Sequence, residues 1–171
     1  MTELIFTIHF PHFEDEPKTI QLKAGLHVIY GDSGVGKSAF CKMLAQLNQN
    51  KVNTNFRISV ISSYEDVGMV LQDPDDQIVA PTVYSELAFN LENLGWESKK
   101  IRERIRETVT QFELEWDLDR HPATLSGGER EILNLATALS VKPTLLVLDD
   151  ALAFLSDVNK SKMLSLLGDY C

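Results

Sequence analysis

Cysteine is nearly absent from the chain. Only Cys41 and Cys171 occur in 171 residues, too few for a disulfide framework. Cys41 reads as a small core residue inside a helix and Cys171 as a loose end. Basic side chains are outnumbered, with 16 Lys and Arg against 25 Asp and Glu and a net charge of −9. That balance excludes the broad positive footprint needed to hold nucleic acid, leaving room only for local basic patches. No window approaches the roughly 18 to 20 continuous apolar residues of a membrane span. The opening Met1-Thr2-Glu3 lacks the basic start of a signal peptide, so a cytosolic location is expected. No internal repeat or low-complexity tract is visible, and the length suits one domain with a real core. His9 and His12 have no cysteine or acidic cluster at ligand spacing, so both read as structural.

What the chain does have is Gly31-Asp32-Ser33-Gly34-Val35-Gly36-Lys37-Ser38, which fits the phosphate-loop pattern G-x-x-x-x-G-K-[ST] at every fixed position. The glycines let successive backbone N–H groups turn toward one anion. Lys37 adds a point charge for the outer phosphates, and the Ser38 hydroxyl can ligate magnesium. Leu26-His27-Val28-Ile29-Tyr30 reads as a buried strand entering the loop, and Ala39 to Leu47 as a helix leaving it, with its positive dipole end facing the phosphates.

Elsewhere the pattern is that of a mixed fold. Leu4 to Phe10 and Lys18 to Leu22 alternate apolar and polar residues around a proline-flanked link and predict an antiparallel pair. Phe10 and Phe13 could stack on a base or simply pack. After the polar link Asn48 to Asn55, Phe56 to Ile61 and Asp66 to Leu71 are short strand candidates, the second ending at Gln72. A polar loop, Asp73 to Gln77, precedes a helix from Thr82 to about Asn93. Ser98 to Phe112 places Ile101, Ile105, Val109 and Phe112 at helical spacing. Its Lys99, Lys100, Arg102, Arg104 and Arg106 alternate with Glu103 and Glu107, which favours a solvated face over a nucleic-acid patch.

Leu125-Ser126-Gly127-Gly128-Glu129 opens a further helix. Ser126 and Glu129 have capping-box spacing, yet two glycines in the first turn cost about 1 kcal/mol each relative to alanine. They make sense where something approaches the backbone closely, and a helix start stripped of side chains suits a phosphate. Thr144 to Leu148 is a continuous apolar run that reads as a parallel strand buried on both faces. It presents Asp149 and Asp150 at its C-terminal edge, where open parallel sheets bind ligands.

Together GDSGVGKS, Gln72, LSGGE and LLVLDD occur in the order and approximate spacing of the nucleotide-binding domain of ABC transporters. Val70 to Gln77 and Ala80 to Val83 further resemble the ATPase subunits of energy-coupling-factor importers of cobalt, nickel or vitamins. The resemblance implies an α/β P-loop NTPase with a mainly parallel central sheet, a small N-terminal antiparallel strand region and a helical signature subdomain. Residues 1–171 would form one such domain, with 81–126 its helical part. ATP and Mg2+ would be the cofactors. Gly31, Asp32, Ser33, Gly34, Val35, Gly36, Lys37, Ser38 and Ala39 would bind ATP, while Ser38, Gln72 and Asp149 would hold the metal. Asp150, Gln72 and Lys37 would act in hydrolysis. Ser126, Gly127, Gly128 and Glu129 would meet ATP bound by a second ATPase subunit, identical or related. The helical part, Pro81 to Arg120, would contact a membrane-embedded subunit. The whole would be peripheral on the inner face of the cell membrane, with no nucleic acid involved.

Three departures qualify the expected importer ATPase. Asp150 stands where the family has a glutamate that polarises the attacking water, which predicts slow hydrolysis. Ala151 to Asp157 differs from the usual Pro-Thr-x-x-Leu-Asp, with Ser156 at the place of an inter-subunit aspartate. The family also continues with a central strand between the phosphate-loop strand and the Asp149 strand, then a histidine that touches the γ-phosphate. These departures keep a nonhydrolytic nucleotide-binding or regulatory module, or a degenerate transporter remnant, in view. An ABC-type ATPase of DNA repair is disfavoured by the acidic charge and the lack of coiled-coil heptads.

Overall fold

A computed structural model describes residues 3–9, 16–45, 57–60 and 66–170. Phe10, His12, Phe13, the link 48–55 and Cys171 lie outside the described residues. Among the described residues the strands form two sheets. β1 (Leu4–His9) runs antiparallel to β2 (Lys18–Leu22), Phe6 opposite Ile20, and on its other side antiparallel to β3 (Arg57–Val60), Thr7 opposite Ser59. β4 (Val67–Val70) and β5 (Leu145–Leu148) form a two-stranded parallel sheet, Val70 opposite Leu148. The helices are α1 (Lys37–Leu44), α2 (Val83–Asn93), α3 (Ser98–Phe112), α4 (Gly127–Ser140) and α5 (Asp157–Gly168).

Two apolar clusters hold these elements. In one, Phe6, Met43, Leu44, Ile58 and Val147 join β1, α1, β3 and β5, and Phe6 meets Phe40 edge to face at 5.6 Å. In the other, Leu87, Leu91, Ile105, Phe112, Leu133 and Leu139 join α2, α3 and α4. The caps follow from sequence. Thr82 caps α2, its Oγ1 accepting the Ser85 N–H at 3.1 Å while the Thr82 N–H donates to Ser85 Oγ at 3.1 Å. At α4, the Ser126 N–H donates to Glu129 Oε2 at 2.7 Å and the Glu129 N–H to Ser126 Oγ at 3.3 Å, the expected capping box.

The edge of β4 away from β5 is closed by a side chain. The Gln77 amide accepts from the Leu71 N–H at 3.0 Å and donates to the Met69 carbonyl at 2.9 Å, copying a neighbouring strand. α4 in turn holds the loop that carries Gln77: Asn134 Nδ2 donates to the Pro74 carbonyl at 3.0 Å, and Arg130 pairs with Asp75 at 2.8 Å.

Three expectations are corrected. Leu26–Tyr30 is not a buried strand. It forms no ladder with either sheet, and Leu26, Val28, Ile29 and Tyr30 are 54%, 77%, 50% and 92% exposed. Apolar composition cannot make a strand without an edge to satisfy its backbone. β5 is less enclosed than its unbroken apolar run implies, since only Val147 is fully buried while Leu145, Leu146 and Leu148 are half-buried. Arg104 is not on the solvated face of α3. It is buried, with Nε donating to the Ser140 carbonyl at 2.6 Å and Nη2 to the Leu139 carbonyl at 3.0 Å. The guanidinium thus satisfies carbonyls at the C-terminal end of α4, where the helix dipole also favours a cation.

Candidate functional site

The loop before α1 has the backbone its glycines allow. Gly34 and Gly36 have φ of 82° and 101°, the left-handed region that residues with a Cβ enter at a cost. Gly36 is also the N-cap of α1, so the chain turns from the loop directly into Lys37 and Ser38. Lys37 Nζ folds back to donate to the carbonyls of Gly31 and Asp32, both at 2.8 Å. The ammonium is therefore held inside the loop that an incoming anion would occupy, as a donor that can exchange the two carbonyls for phosphate oxygens.

Ser38 Oγ donates to Asp149 Oδ1 at 2.9 Å across 111 residues of chain. This one bond joins the phosphate-loop helix to the end of β5. Asp149 is 7% exposed, and its charge is felt nearby: burial first, and Asp149 second, push the Cys41 thiol up to about 11. Cys41 is thus a protonated, unreactive core residue. Ser38, Gln72 and Asp149 line one cleft of about 370 Å³ together with Lys42, Asp76 and Phe154. A hydroxyl, an amide and a carboxylate are hard oxygen donors of the kind magnesium takes. Among the described residues no group of three His, Cys, Asp or Glu side chains converges on a metal position, so a cation at Ser38 and Asp149 would need ligand oxygens from a phosphate or water.

Asp150, next along the chain, is exposed and left-handed with φ 54°. It does not line the cleft. Nor do Ser126, Gly127, Gly128 and Glu129, which form the capped start of α4. The Ser126 backbone N–H, then its hydroxyl, hold the Glu129 carboxyl below the ordinary range. Part of the glycine pair has an explanation within the chain. A Cβ on Gly128 would lie 3.2 Å from the Phe154 carbonyl oxygen, whereas one on Gly127 would make ordinary 3.7 Å contact with the Phe154 ring. Steric need thus accounts for Gly128 and not for Gly127.

Two residues of the site escape the sequence reading. Phe154, 57% exposed, bridges the cleft and the start of α4; nothing in an irregular segment signals this. Glu131, 1% exposed, accepts the Phe154 N–H at 3.0 Å. A signal existed for Glu131, which shares the inward stripe of α4 with Leu135 and Ala138. Ser156, noted as a departure, caps α5, accepting the Asn159 N–H at 3.4 Å.

Comparison with known proteins follows the same residues. The family model described as "ABC transporter" matches residues 19–153. A protein described as an ABC transporter ATP-binding protein of Pyrococcus abyssi is 38% identical over 152 residues, covering 81% of this chain and 54% of that protein. A counterpart from Methanosarcina acetivorans is 31% identical over 169 residues, covering 92% and 52%. An energy-coupling factor transporter ATP-binding protein of Mesomycoplasma hyopneumoniae is 29% identical over 154 residues, covering 86% and 57%. The chain spans about half the length of these three relatives. Among solved structures, cbiO1 from Clostridium perfringens, described as part of the ABC transporter complex cbiONQ, aligns over 98% of this chain and 73% of its own. Its TM-score is 0.72 at 24% identity, a likeness of fold.

Proposed function

Because the chain belongs to the ABC transporter family, we propose that it is the ATP-binding subunit of an importer, coupling ATP binding and slow hydrolysis to substrate uptake. The observation that carries this reading is the 2.9 Å bond from Ser38 to Asp149, which brings the phosphate loop and the carboxylate edge of β5 to one cleft beside Gln72. Residues 1–171 act as one nucleotide-binding domain, with 81–126 as its helical part.

In this reading the backbone of Gly31 to Gly36 receives the phosphates and Lys37 leaves the Gly31 and Asp32 carbonyls to meet the outer ones. Ser38, Gln72 and Asp149 hold Mg2+, whose charge, when bound, neutralises that developing on the phosphate oxygens. Asp150 orients the attacking water. Ser126, Gly127 and Gly128 serve ATP bound on a second ATPase subunit, consistent with their position outside this chain's own cleft. The stretch from Pro81 to Arg120 faces a membrane-embedded subunit, which puts the protein on the inner face of the membrane. The name of the Mesomycoplasma protein supports an energy-coupling-factor type of importer.

A second reading, a nonhydrolytic nucleotide-binding module, draws support from Asp150, which ends short of the usual glutamate and does not line the cleft. Phosphate release from Mg·ATP separates the two. Slow release abolished by Lys37→Ala supports the ATPase, and ATP binding with no release above that variant supports the module.

A further inference from the structure

Glu131 lies in the second turn of α4, with its carboxylate beneath the turn that follows Asp150. It is almost wholly enclosed, and Oε2 accepts the Phe154 N–H at 3.0 Å. The turn is held from inside as well, the Ala153 N–H donating to the Asp150 carbonyl at 3.3 Å. On the same helix the Phe154 carbonyl comes within 3.2 Å of where a Cβ on Gly128 would sit, so that the turn rests against bare backbone there. Phe154 is thus held to α4 at both backbone groups, its N–H bonded to Glu131 and its carbonyl against the bare backbone of Gly128.

The second carboxylate oxygen, Oε1, is buried with no hydrogen-bond partner. A residue used for its charge would place a cation there. Instead Lys160 acts only from a distance, and Asp150 brings a like charge. Acceptance by one oxygen is what the surroundings use.

We propose that Glu131 is a positioning residue: as a neutral-compatible hydrogen-bond acceptor, it fixes the 150–154 turn, and with it Asp150 and Phe154, against the start of α4. The start of α4 and the water-orienting carboxylate then move as one body. The effect on turnover rests on the ATPase reading above, whereas the effect on the turn does not.

Hydrogen–deuterium exchange of the full chain tests the turn directly. Glu131→Ala should raise the exchange rate of the Phe154 amide at least tenfold, with exchange in α2 and α3 unchanged. Glu131→Gln, which keeps the acceptor and removes the charge, should exchange like the parent. Unchanged exchange in Glu131→Ala overturns the clamp, and Glu131→Gln as fast as Glu131→Ala overturns the acceptor role. Should Glu131→Ala fail to fold, Glu131→Met, which fills the space without accepting, takes its place under the same criteria. In the ATPase assay the non-accepting variant should lose on the order of a hundredfold in kcat, the cost of a misplacement near 1 Å. Its KM for Mg·ATP should stay within about twofold, with Glu131→Gln restoring kcat. A kcat equal to the parent's overturns the positioning role. A parent that neither binds nor hydrolyses ATP overturns the ATPase reading instead and leaves the exchange result to decide the clamp.

Discussion

Gly127→Ala should stabilise the fold and damage its function at the same time. The methyl group meets the Phe154 ring at 3.7 Å, an ordinary van der Waals distance, and the position has no left-handed φ. Replacing a helical glycine by alanine gains up to about 1 kcal/mol by narrowing the unfolded ensemble. For a chain of this size that raises Tm by about 2 to 4 °C. The neighbouring change differs in sign for a geometric reason. In Gly128→Ala the methyl would stand 3.2 Å from the Phe154 carbonyl, a backbone atom that must shift by a few tenths of an ångström. That strain offsets the same gain, so Tm should stay level or fall. On the functional side, a methyl at residue 127 stands where the phosphate of a partner's ATP would approach the α4 N-terminus. Losing one donor contact of this kind costs about a hundredfold or more in turnover. Differential scanning calorimetry beside phosphate release provides both readouts. A fall in Tm for Gly127→Ala would refute the steric account, and unaltered turnover would refute the assignment of Gly127 to a shared phosphate.

Asp150→Glu lengthens the carboxylate by one methylene and should raise turnover by up to about a hundredfold, less to the extent that glutamate resists the left-handed backbone at φ 54°; equal rates would contradict this. Arg104→Ala takes the guanidinium donor away from the buried Ser140 carbonyl at roughly 1 to 3 kcal/mol, while the Leu139 carbonyl keeps the Lys142 N–H at 3.0 Å. The urea midpoint should drop accordingly, with Arg104→Lys recovering little because lysine lacks the fork. Burial, ahead of other causes, raises the Glu131 carboxyl above its ordinary 4.5. The native state therefore keeps this proton to a higher pH than the unfolded chain, and stability is lost as pH rises through the raised value. Glu131→Gln should melt above the parent at pH 8, with the gap closing as pH falls toward 4.5. A gap that ignores pH would show that the shift does not govern stability.

Much of this was legible in the chain because local chemistry and tertiary context agree. Ser126 caps the helix that its spacing with Glu129 announces, and α3 runs over Ser98–Phe112 as its stripe of Ile101, Ile105 and Phe112 requires. The phosphate loop is legible for the same reason, since Gly34 and Gly36 occupy the conformations that need glycine. What failed depends on distant partners. Leu26 to Tyr30 has the composition of a buried strand, and composition does not reveal whether an edge is there to pair with. Arg104 carries a charge that suggests solvent, and only the fold shows it enclosed by the end of α4. α5 gave no stripe at all: Val158 and Leu164 are exposed, while Met163 and Leu167 are buried. Its visible mark was the cap residue Ser156, which the family pattern had drawn attention to for a different reason.

A Mg·ATP site built from Gly31 to Ser38 and Asp149 should be visible in calorimetric titration of the full chain with ATP, with and without Mg2+. Binding should be saturable and one-to-one, and should weaken at least tenfold without Mg2+, in Lys37→Ala and in Asp149→Asn. Absence of binding, or binding indifferent to all three changes, would contradict such a site.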